Sequence, residues 1–417
     1  MKCMMKKPVQ KIQNKQTVWK ILLVLFMVIA VGCRTKGTDS MNSRRTKDSV
    51  RIMVTSDLHY LSEQLYDPSS AIFQQLLSKN DGKLVEEGKA ILNALKERAL
   101  IEKPDALLLC GDLTFNGEMI SLKEIRDVLD EVEAAGIPVL VTTGNHDIYY
   151  SSCMTYFGDQ PGKTDDISDQ EFAEVMAPFG YDEALYRDEK TLSYMYSLYE
   201  DLWFLVLDAN ALTSRGSIPS STLVWMEEVM NRADEAGAQV IVMSHQNILI
   251  QSSMMYLGYV LENHEAVEHI LQDHHVYLAV SGHSHLQHTA VSSGLYDICN
   301  ESLSVYPLQY GMIEVDLKNR EFIHELIPIG VLEQESFDRF AETVLRMVVP
   351  TVQNTSADSV IQAKMAEYAI AVNSAYFSGN RAKAAALKEE TGRKLWQQYA
   401  PDSFWAAYIE NIFSEME

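Results

Sequence analysis

The 417-residue sequence predicts an α/β protein with a smaller all-α domain at its C-terminal end. Short β-branched apolar runs alternate with segments of helical spacing, which is how a sheet covered by helices reads. Polar residues able to hold metals or protons fall directly after several of those runs, where an open α/β sheet places its ligand crevice. Beyond Gly330 the texture changes to Ala, Glu, Lys and aromatic residues at helical spacing. With 47% hydrophobic residues and five cysteines, the chain is neither a disordered tail nor a disulfide-stapled miniprotein.

The N-terminus comes first. Lys2, Lys6, Lys7, Lys11, Lys15 and Lys20 precede the apolar run Ile21 to Val31, and no acid occurs before Asp39. This is a signal-peptide pattern, since eleven helical residues cross only roughly half of a ~30 Å bilayer core. Ala30-Val31-Gly32-Cys33 resembles the lipobox of bacterial lipoproteins, with Ala30 where that pattern prefers Leu. The resemblance implies a signal peptide over 1–32, a lipid anchor at Cys33 and an exported protein on the extracytoplasmic face of a bacterial membrane. The alternative is a secreted protein in which Cys33 is incidental. Residues 33–49 are polar, small and aperiodic, and are expected to form a flexible tether.

The sequence from 50 to 329 is expected to form the catalytic domain. Val50 to Thr55, Ala106 to Cys110, Ile137 to Thr142, Trp203 to Leu207, Val240 to Met243 and Val276 to Val280 read as buried strands. Leu84 to Leu100, Ile120 to Ala135, Leu223 to Ala236 and Glu265 to Leu271 read as helices. Strand-like stretches recur near Thr289 and Tyr306, at Met312 to Val315 and at Phe322 to Ile327, with antiparallel pairing expected. In the helical domain, 330–417, the apolar positions Phe337, Phe340, Val344 and Val348, then Ile361, Met365, Tyr368, Val372 and Tyr376, mark two helices whose stripes pack on each other. A third is predicted from Ala384 to Tyr399, and a fourth starting at Pro401-Asp402.

Charge narrows the partners. Without residues 1–32 the chain has 29 basic and 58 acidic side chains, a net charge of −29. Long nucleic acids need Lys/Arg arrays to neutralise phosphates, and no such array is visible, so no long nucleic acid is expected. A small anion remains compatible, because bound cations invert the local field. Of the cysteines outside the signal, Cys110 sits in an apolar run and reads as a small buried hydrophobe. A Cys153 to Cys299 bridge is the one pairing weighed, and no disulfide framework is indicated.

Five strands run into chemistry. Val50 to Ser56 leads to Asp57-Leu58-His59, and Ala106 to Cys110 to Gly111-Asp112. Ile137 to Val141 leads to Gly144-Asn145-His146-Asp147, Val240 to Ser244 to His245, and Val276 to Gly282 to His283-Ser284-His285. Carboxylate, imidazole and amide donors suit divalent iron, manganese or zinc, and the lack of cysteines there argues against a structural zinc cage. Glycines before Asp112, Asn145 and His283 fit turns that let backbone come close to ions.

These five blocks, complete and in order, resemble the calcineurin-like metallophosphoesterases. The resemblance implies a two-sheet sandwich flanked by helices and two divalent or trivalent metal ions (Mn, Fe or Zn). Asp57, His59, Asp112 and His285 would hold one ion, Asp112 would bridge, and Asn145, His245 and His283 would complete the other. A hydroxide between the ions would be the nucleophile. His146 would protonate the leaving oxygen and Asp147 would orient it, the alternative being turn chemistry alone. Asn116 and Glu118 are candidates for supporting groups, or parts of a solvated loop. His264, His269, His274, His275, His288 and His324 lack this context and read as surface or packing residues.

Ser244-His245-Gln246-Asn247, Gly282-His283-Ser284-His285 and the C-terminal helices together look like bacterial cyclic nucleotide phosphodiesterases with a helical C-terminal domain, often lipoproteins. Gln246 stands where a second His is expected in that group. The implied function is hydrolysis of a small phosphodiester, a 3',5'-cyclic nucleotide. The alternatives are a phosphomonoesterase or nucleotidase with the same metals, and a non-catalytic surface binding lipoprotein. The stretch Ile148 to Leu192, with Tyr149, Tyr150, Tyr156, Phe157, Phe179 and Tyr181, is too long for a mere connection and is expected to wall or cover the pocket, or else to form a satellite apolar cluster. The sequence leaves oligomeric state open. For the anchor, Cys33→Ala is expected to abolish incorporation of labelled fatty acid in cells; undiminished labelling would exclude Cys33 as the acylated residue.

Overall fold

A computed structural model describes residues 47–211 and 215–417. The signal peptide, Cys33 and residues 33–46 of the tether lie outside the described residues.

All six apolar runs read as strands are strands. They are β1 (Ser49–Thr55), β2 (Ala106–Leu109), β3 (Val139–Val141), β8 (Leu202–Leu207), β9 (Gln239–Ser244) and β10 (Leu278–Ser281). Between β3 and β8 lie a small ribbon of β4 (Met154–Thr155) and β5 (Gly162–Lys163), then β6 (Tyr186–Arg187) and the aromatic strand β7 (Tyr194–Tyr199), which was not predicted. β11 (His288–Ser292), β12 (Leu295–Cys299), β13 (Gln309–Asp316) and β14 (Glu321–Pro328) follow. No strand forms at Tyr306, because Pro307 has no N–H to give a ladder and Leu308 takes a positive φ of 57°.

The strands form two large sheets, β14-β13-β1-β2-β3 and β11-β12-β10-β9-β8-β7-β6. β1, β2 and β3 run parallel, with Val54 opposite Leu108 and Leu108 opposite Leu140. β8, β9 and β10 also run parallel, with Val206 opposite Met243 and Met243 opposite Val280. β13 pairs antiparallel with both β1 and β14, as expected for the later strands. Side-chain alternation divides the second sheet's faces. Phe204, Val206, Ile241 and Met243 join Ile52, Val54 and Leu108 in the core between the sheets. Trp203, Leu205, Leu207 and Val242 turn outward onto helices.

The helices of this part are α1 (Ala71–Lys79), α2 (Gly88–Glu102), α3 (Met119–Ala134), α4 (Asp169–Val175), α5 (Ser220–Ala236) and α6 (His264–Asp273). Met226, Val229 and Met230 of α5 and Val267 and Leu271 of α6 cover the outer face of the second sheet. α1 was not predicted. It is short, begins at the Ser70 cap, and joins a separate small cluster of Leu61, Tyr66, Phe73 and Tyr156.

The C-terminal stripes pack as expected. Phe340, Val344 and Val348 of α7 (Glu333–Gln353) meet Met365, Tyr368, Val372 and Tyr376 of α8 (Ser359–Phe377) in a core of their own. The predicted third helix is instead two, α9 (Arg381–Lys388) and α10 (Thr391–Tyr399). The Tyr368 hydroxyl donates to the Leu387 carbonyl, and its ring lies so near Gly392 that a Cβ there would be 2.2 Å from the ring. The chain turns around that ring, and Trp396 then buries with its indole N–H on the Met365 carbonyl at 2.9 Å. The last helix, α11 (Phe404–Glu415), starts later than expected, because Ser403 and not Pro401 caps it by accepting from the Ala406 N–H. Leu286 and Val305, from the loops after β10 and β12, belong to this helical core, so the two parts share packing next to His285. Among the described residues no helix is long and apolar enough to cross a membrane.

Candidate metal centre

The parallel strands of both sheets end at one edge, and the seven residues assigned as ligands meet there. Fully or nearly buried carboxylates and imidazoles are costly to collect without compensation. Asp57, His59, Asp112 and His245 are each no more than 2% exposed.

One set centres on Asp57. Its Oδ2 accepts from the Ser56 hydroxyl at 2.5 Å and the His283 N–H at 2.9 Å. Its Oδ1 is buried without a hydrogen-bond partner, yet lies 3.3 Å from His285 Nε2 and 3.7 Å from His59 Nε2. Those two ring nitrogens face each other at 3.2 Å. A second set centres on Asp112, whose Oδ1 is fixed by the His146 N–H at 2.8 Å. Its Oδ2 lies 3.7 Å from His59 Nε2 and 3.5 Å from His245 Nε2. Asn145 Oδ1 is 3.1 Å from the same His245 nitrogen. The groups Asp57-His59-His285 and Asp112-His245-His283 each offer atoms within 4.8 Å of one another, and His59-Asp112-His146 forms an overlapping third.

Converging acceptors of this kind fit cations. Two of the other ring nitrogens fit too: His245 Nδ1 donates to the Cys110 carbonyl and His283 Nε2 to the Gly258 carbonyl, both at 2.8 Å, as metal-binding imidazoles usually do. Burial opposes charge on His245, but the adjacent Asp112 carboxylate lifts its pKa to about 9. Burial and the neighbouring His245 lower His283 to about 4. Burial also raises the cost of ionising Asp112, yet His245, His146 and His59 together hold its carboxyl well below the usual range. His59 is held well below its usual value by burial first and the Lys83 ammonium second.

The local backbone is strained to achieve this. Asp57, His59, Asp112, His283 and His285 all have positive φ, between 44° and 68°, a region that costs non-glycine residues energy and that clusters at functional sites. Gly144 has no room for a side chain, since a Cβ would lie 2.1 Å from Asp112 Oδ1. At Gly282 a Cβ would meet Ser56 Oγ at 1.8 Å. The glycines flagged in the sequence therefore permit close approach of the ligand loops.

His146 lies over the first set, with its ring centroid 4.9 Å from that of His59. Its Nδ1 donates to the Phe115 carbonyl at 2.8 Å and contacts Asn116 Oδ1 at 3.0 Å. This corrects the expectation for Asp147. Its buried carboxylate accepts from the N–H groups of Leu113, Thr114 and Gly144 and from the Thr114 hydroxyl, so it ties the two ligand loops together and does not orient the His146 ring. The Phe115 carbonyl and Asn116 Oδ1 do that, while Glu118 accepts from the Asn116 N–H. Gln246 exchanges hydrogen bonds with the Asn210 amide at 2.7 and 3.3 Å, which anchors it away from the ligand set.

Of the aromatic residues expected to wall the pocket, Tyr150 alone stacks on a site residue, with its ring 4.7 Å from His146. Phe179 and Tyr181 are in the main core, and Tyr156 packs with Phe73. Tyr149 bonds Asp169, and Phe157 is half exposed. The sequence reading missed Tyr259, whose ring lies 5.4 Å from that of His283, and the serines beneath Asp57. Ser302 and Ser304 donate to the Asp57 carbonyl at 2.7 and 3.2 Å. Neither follows a strand-glycine signal. Cys110, Cys153 and Cys299 are free and buried, so the Cys153 to Cys299 bridge does not form; Cys153 faces the Gly117 carbonyl and Cys299 the Ser284 hydroxyl. His274 pairs with Asp234 and Glu227, away from the site.

The family profile described as calcineurin-like phosphoesterase matches residues 50–287. Among solved structures, a dimetal phosphatase from Danio rerio is 14% identical, with a TM-score of 0.48, over 67% of this chain and 96% of that one. The anchor in the inner membrane complex of Plasmodium is 14% identical, with a TM-score of 0.43, over 68% and 86%. No curated protein matches by sequence.

Gly144→Ala is expected to lose most bound metal, measured by elemental analysis, while circular dichroism stays native; full metal content would show that the Gly144 contact does not set Asp112. Glu301, beside the two supporting serines, meets no hydrogen bond of normal geometry, and burial lifts its pKa to about 8. The native state therefore keeps a proton that the unfolded chain releases near 4.5, and stability falls as pH rises from about 4.5 to about 8. Glu301→Gln is expected to flatten that fall in melting temperature; an unchanged pH profile would refute the assignment.

Proposed function

Because the chain belongs to the calcineurin-like phosphoesterase family, metal-dependent phosphoric ester hydrolases, we propose that it hydrolyses a small phosphodiester, a 3',5'-cyclic nucleotide. The observation that carries the reading is that Asp112 presents one oxygen to both His59 and His245 while aromatic rings, Tyr150 and Tyr259, flank the two sides of the cluster. A single carboxylate facing two imidazole sets suits two cations sharing a ligand. Flanking rings suit a planar base.

Asp57, His59, Asp112 and His285 would hold one ion, and Asp112, Asn145, His245 and His283 the other. Once bound, such ions offset charge on the phosphoryl oxygens and bring the pKa of a shared water toward ~7. The protein's own groups do the rest. The Phe115 carbonyl accepts a hydrogen bond from His146 Nδ1–H, which fixes the ring so that Nε2 can deliver a proton to the leaving oxygen. Tyr150 keeps that ring from rotating by stacking on it. Asp147 holds the Asp112 and Asn145 loops at constant separation. The strongly acidic surface suits a small diester better than a polynucleotide.

A substrate panel with manganese, iron and zinc added separately tests the reading. Catalytic efficiency is expected to be highest on cyclic nucleotides, below that on chromogenic diesters and lowest on monoesters; a preference for monoesters would favour the nucleotidase alternative. His146→Ala is expected to lower kcat by about 10²–10⁴ with metal content unchanged.

A further inference from the structure

Lys83 is a charged side chain held out of water on a loop tied through Ser304 to the Asp57 backbone. Its side chain is 8% exposed, and its ammonium pairs with Asp81 Oδ2 at 2.6 Å. That partner carboxylate is 62% exposed. The pair is therefore asymmetric: the Asp81 carboxylate already reaches water, whereas the buried ammonium cannot do without an anion. The neighbouring backbone fixes its position. The Leu84 N–H donates to the Ser304 carbonyl at 2.8 Å, and the Ser304 hydroxyl donates to the carbonyl of Asp57. Lys83 is also the first charged group, after burial itself, to act on the His59 ring.

The loop that carries Lys83 is held from the other side by the helical domain. Arg346 on α7 donates to the carbonyls of Ser78 and Asn80, both at 2.6 Å. One turn-pair earlier on the same helix, Arg339 donates to the Lys83 carbonyl at 3.4 Å and pairs with Glu86. The Asn80 side chain closes the loop, taking the Lys83 N–H and giving its amide to the Lys83 carbonyl. Gly82, at φ 108°, lies against Val305 and Thr343 of α7. Exposed arginines would add little as ion pairs, but these two bond backbone carbonyls of the loop directly, Arg346 those of Ser78 and Asn80 and Arg339 that of Lys83 beside the Asn80 amide.

We propose that Lys83 binds the anionic phosphoryl group of the substrate at the rim of the metal centre, and that the C-terminal helical domain positions it there through Arg339 and Arg346. The proposal rests on the phosphoesterase reading and deepens it, giving the helical domain a role in substrate affinity. The incoming phosphoryl oxygens take the place of the Asp81 carboxylate, which moves into water. A charge-assisted contact of this kind is roughly twice as strong as a neutral one, and it acts mainly on binding when it is equal in ground and transition states.

The test uses the full mature chain loaded with manganese, with two readouts: steady-state hydrolysis of bis-para-nitrophenyl phosphate, and calorimetric binding of inorganic phosphate. Lys83→Met is expected to raise KM about tenfold and to weaken phosphate binding by a similar factor, with kcat within about twofold and metal content unchanged. Lys83→Arg is expected to recover most of the affinity. Arg346→Ala is expected to raise KM in the same direction, and Arg346→Lys to recover it in part. Unchanged KM and phosphate affinity in Lys83→Met would overturn the proposal, as would loss of metal, which would place Lys83 in service of the ligands. If the wild type hydrolyses no ester, the phosphodiesterase reading fails by itself, and the phosphate-binding arm still decides for or against Lys83.

Discussion

Everything in this fold converges on the need to hold the Asp112 carboxylate between two imidazole sets inside a protein core. Oδ1 is fixed by the His146 N–H, so Oδ2 has one direction left, toward both His59 and His245. That arrangement is unfavourable for an isolated chain. Buried carboxylates near one another repel, and buried imidazoles resist charge. The two sheets answer the problem by ending their parallel strands at one edge, so rigid backbone rather than flexible side chains sets the separations. The positive φ angles at five ligand positions are the cost of aiming side chains inward from such tight loops.

Support for the site is layered by chemistry. Backbone carbonyls of Cys110 and Gly258 orient two of the imidazoles, while Ser302 and Ser304 hold the Asp57 backbone. Asp147 binds four donors from two loops. Asp297, buried on β12 next to β10, accepts from the Ile248 and Leu249 N–H groups and the Ser281 hydroxyl, tying the loop after His245 to the strand before His283. Each of these groups satisfies a buried polar atom and restricts a ligand at once, which is why stability and function are coupled here.

The helical domain is joined to this machinery at several places. Leu286 and Val305 enter its core, the Gln287 N–H donates to the Phe377 carbonyl, and Glu415 accepts from Ser252 and Ser253 in the loop that leads to Tyr259. A domain held by these contacts as well as by Arg339 and Arg346 is a buttress for loops around the centre. Its own stability comes from a separate apolar core.

What the sequence alone determined was the catalytic frame: six apolar runs became strands, and the polar blocks after five of them meet at one edge. This was legible because strand burial and glycine turns are local, period-two and short-range effects. The N-cap at Ser403, the turn around Tyr368 and the loss of a strand at Tyr306 were not legible, since each depends on a neighbour distant in sequence or on one backbone angle. The same holds for Asp147, which the local tripeptide pairs with His146 but which the fold turns toward Leu113 and Thr114. Only tertiary structure could select Tyr150 from its aromatic neighbours, bring Tyr259 to His283, or tie the Lys83 loop through Ser304 to Asp57. Which donors a buried side chain meets is decided by the packing of whole elements, and one-dimensional pattern carries no term for that.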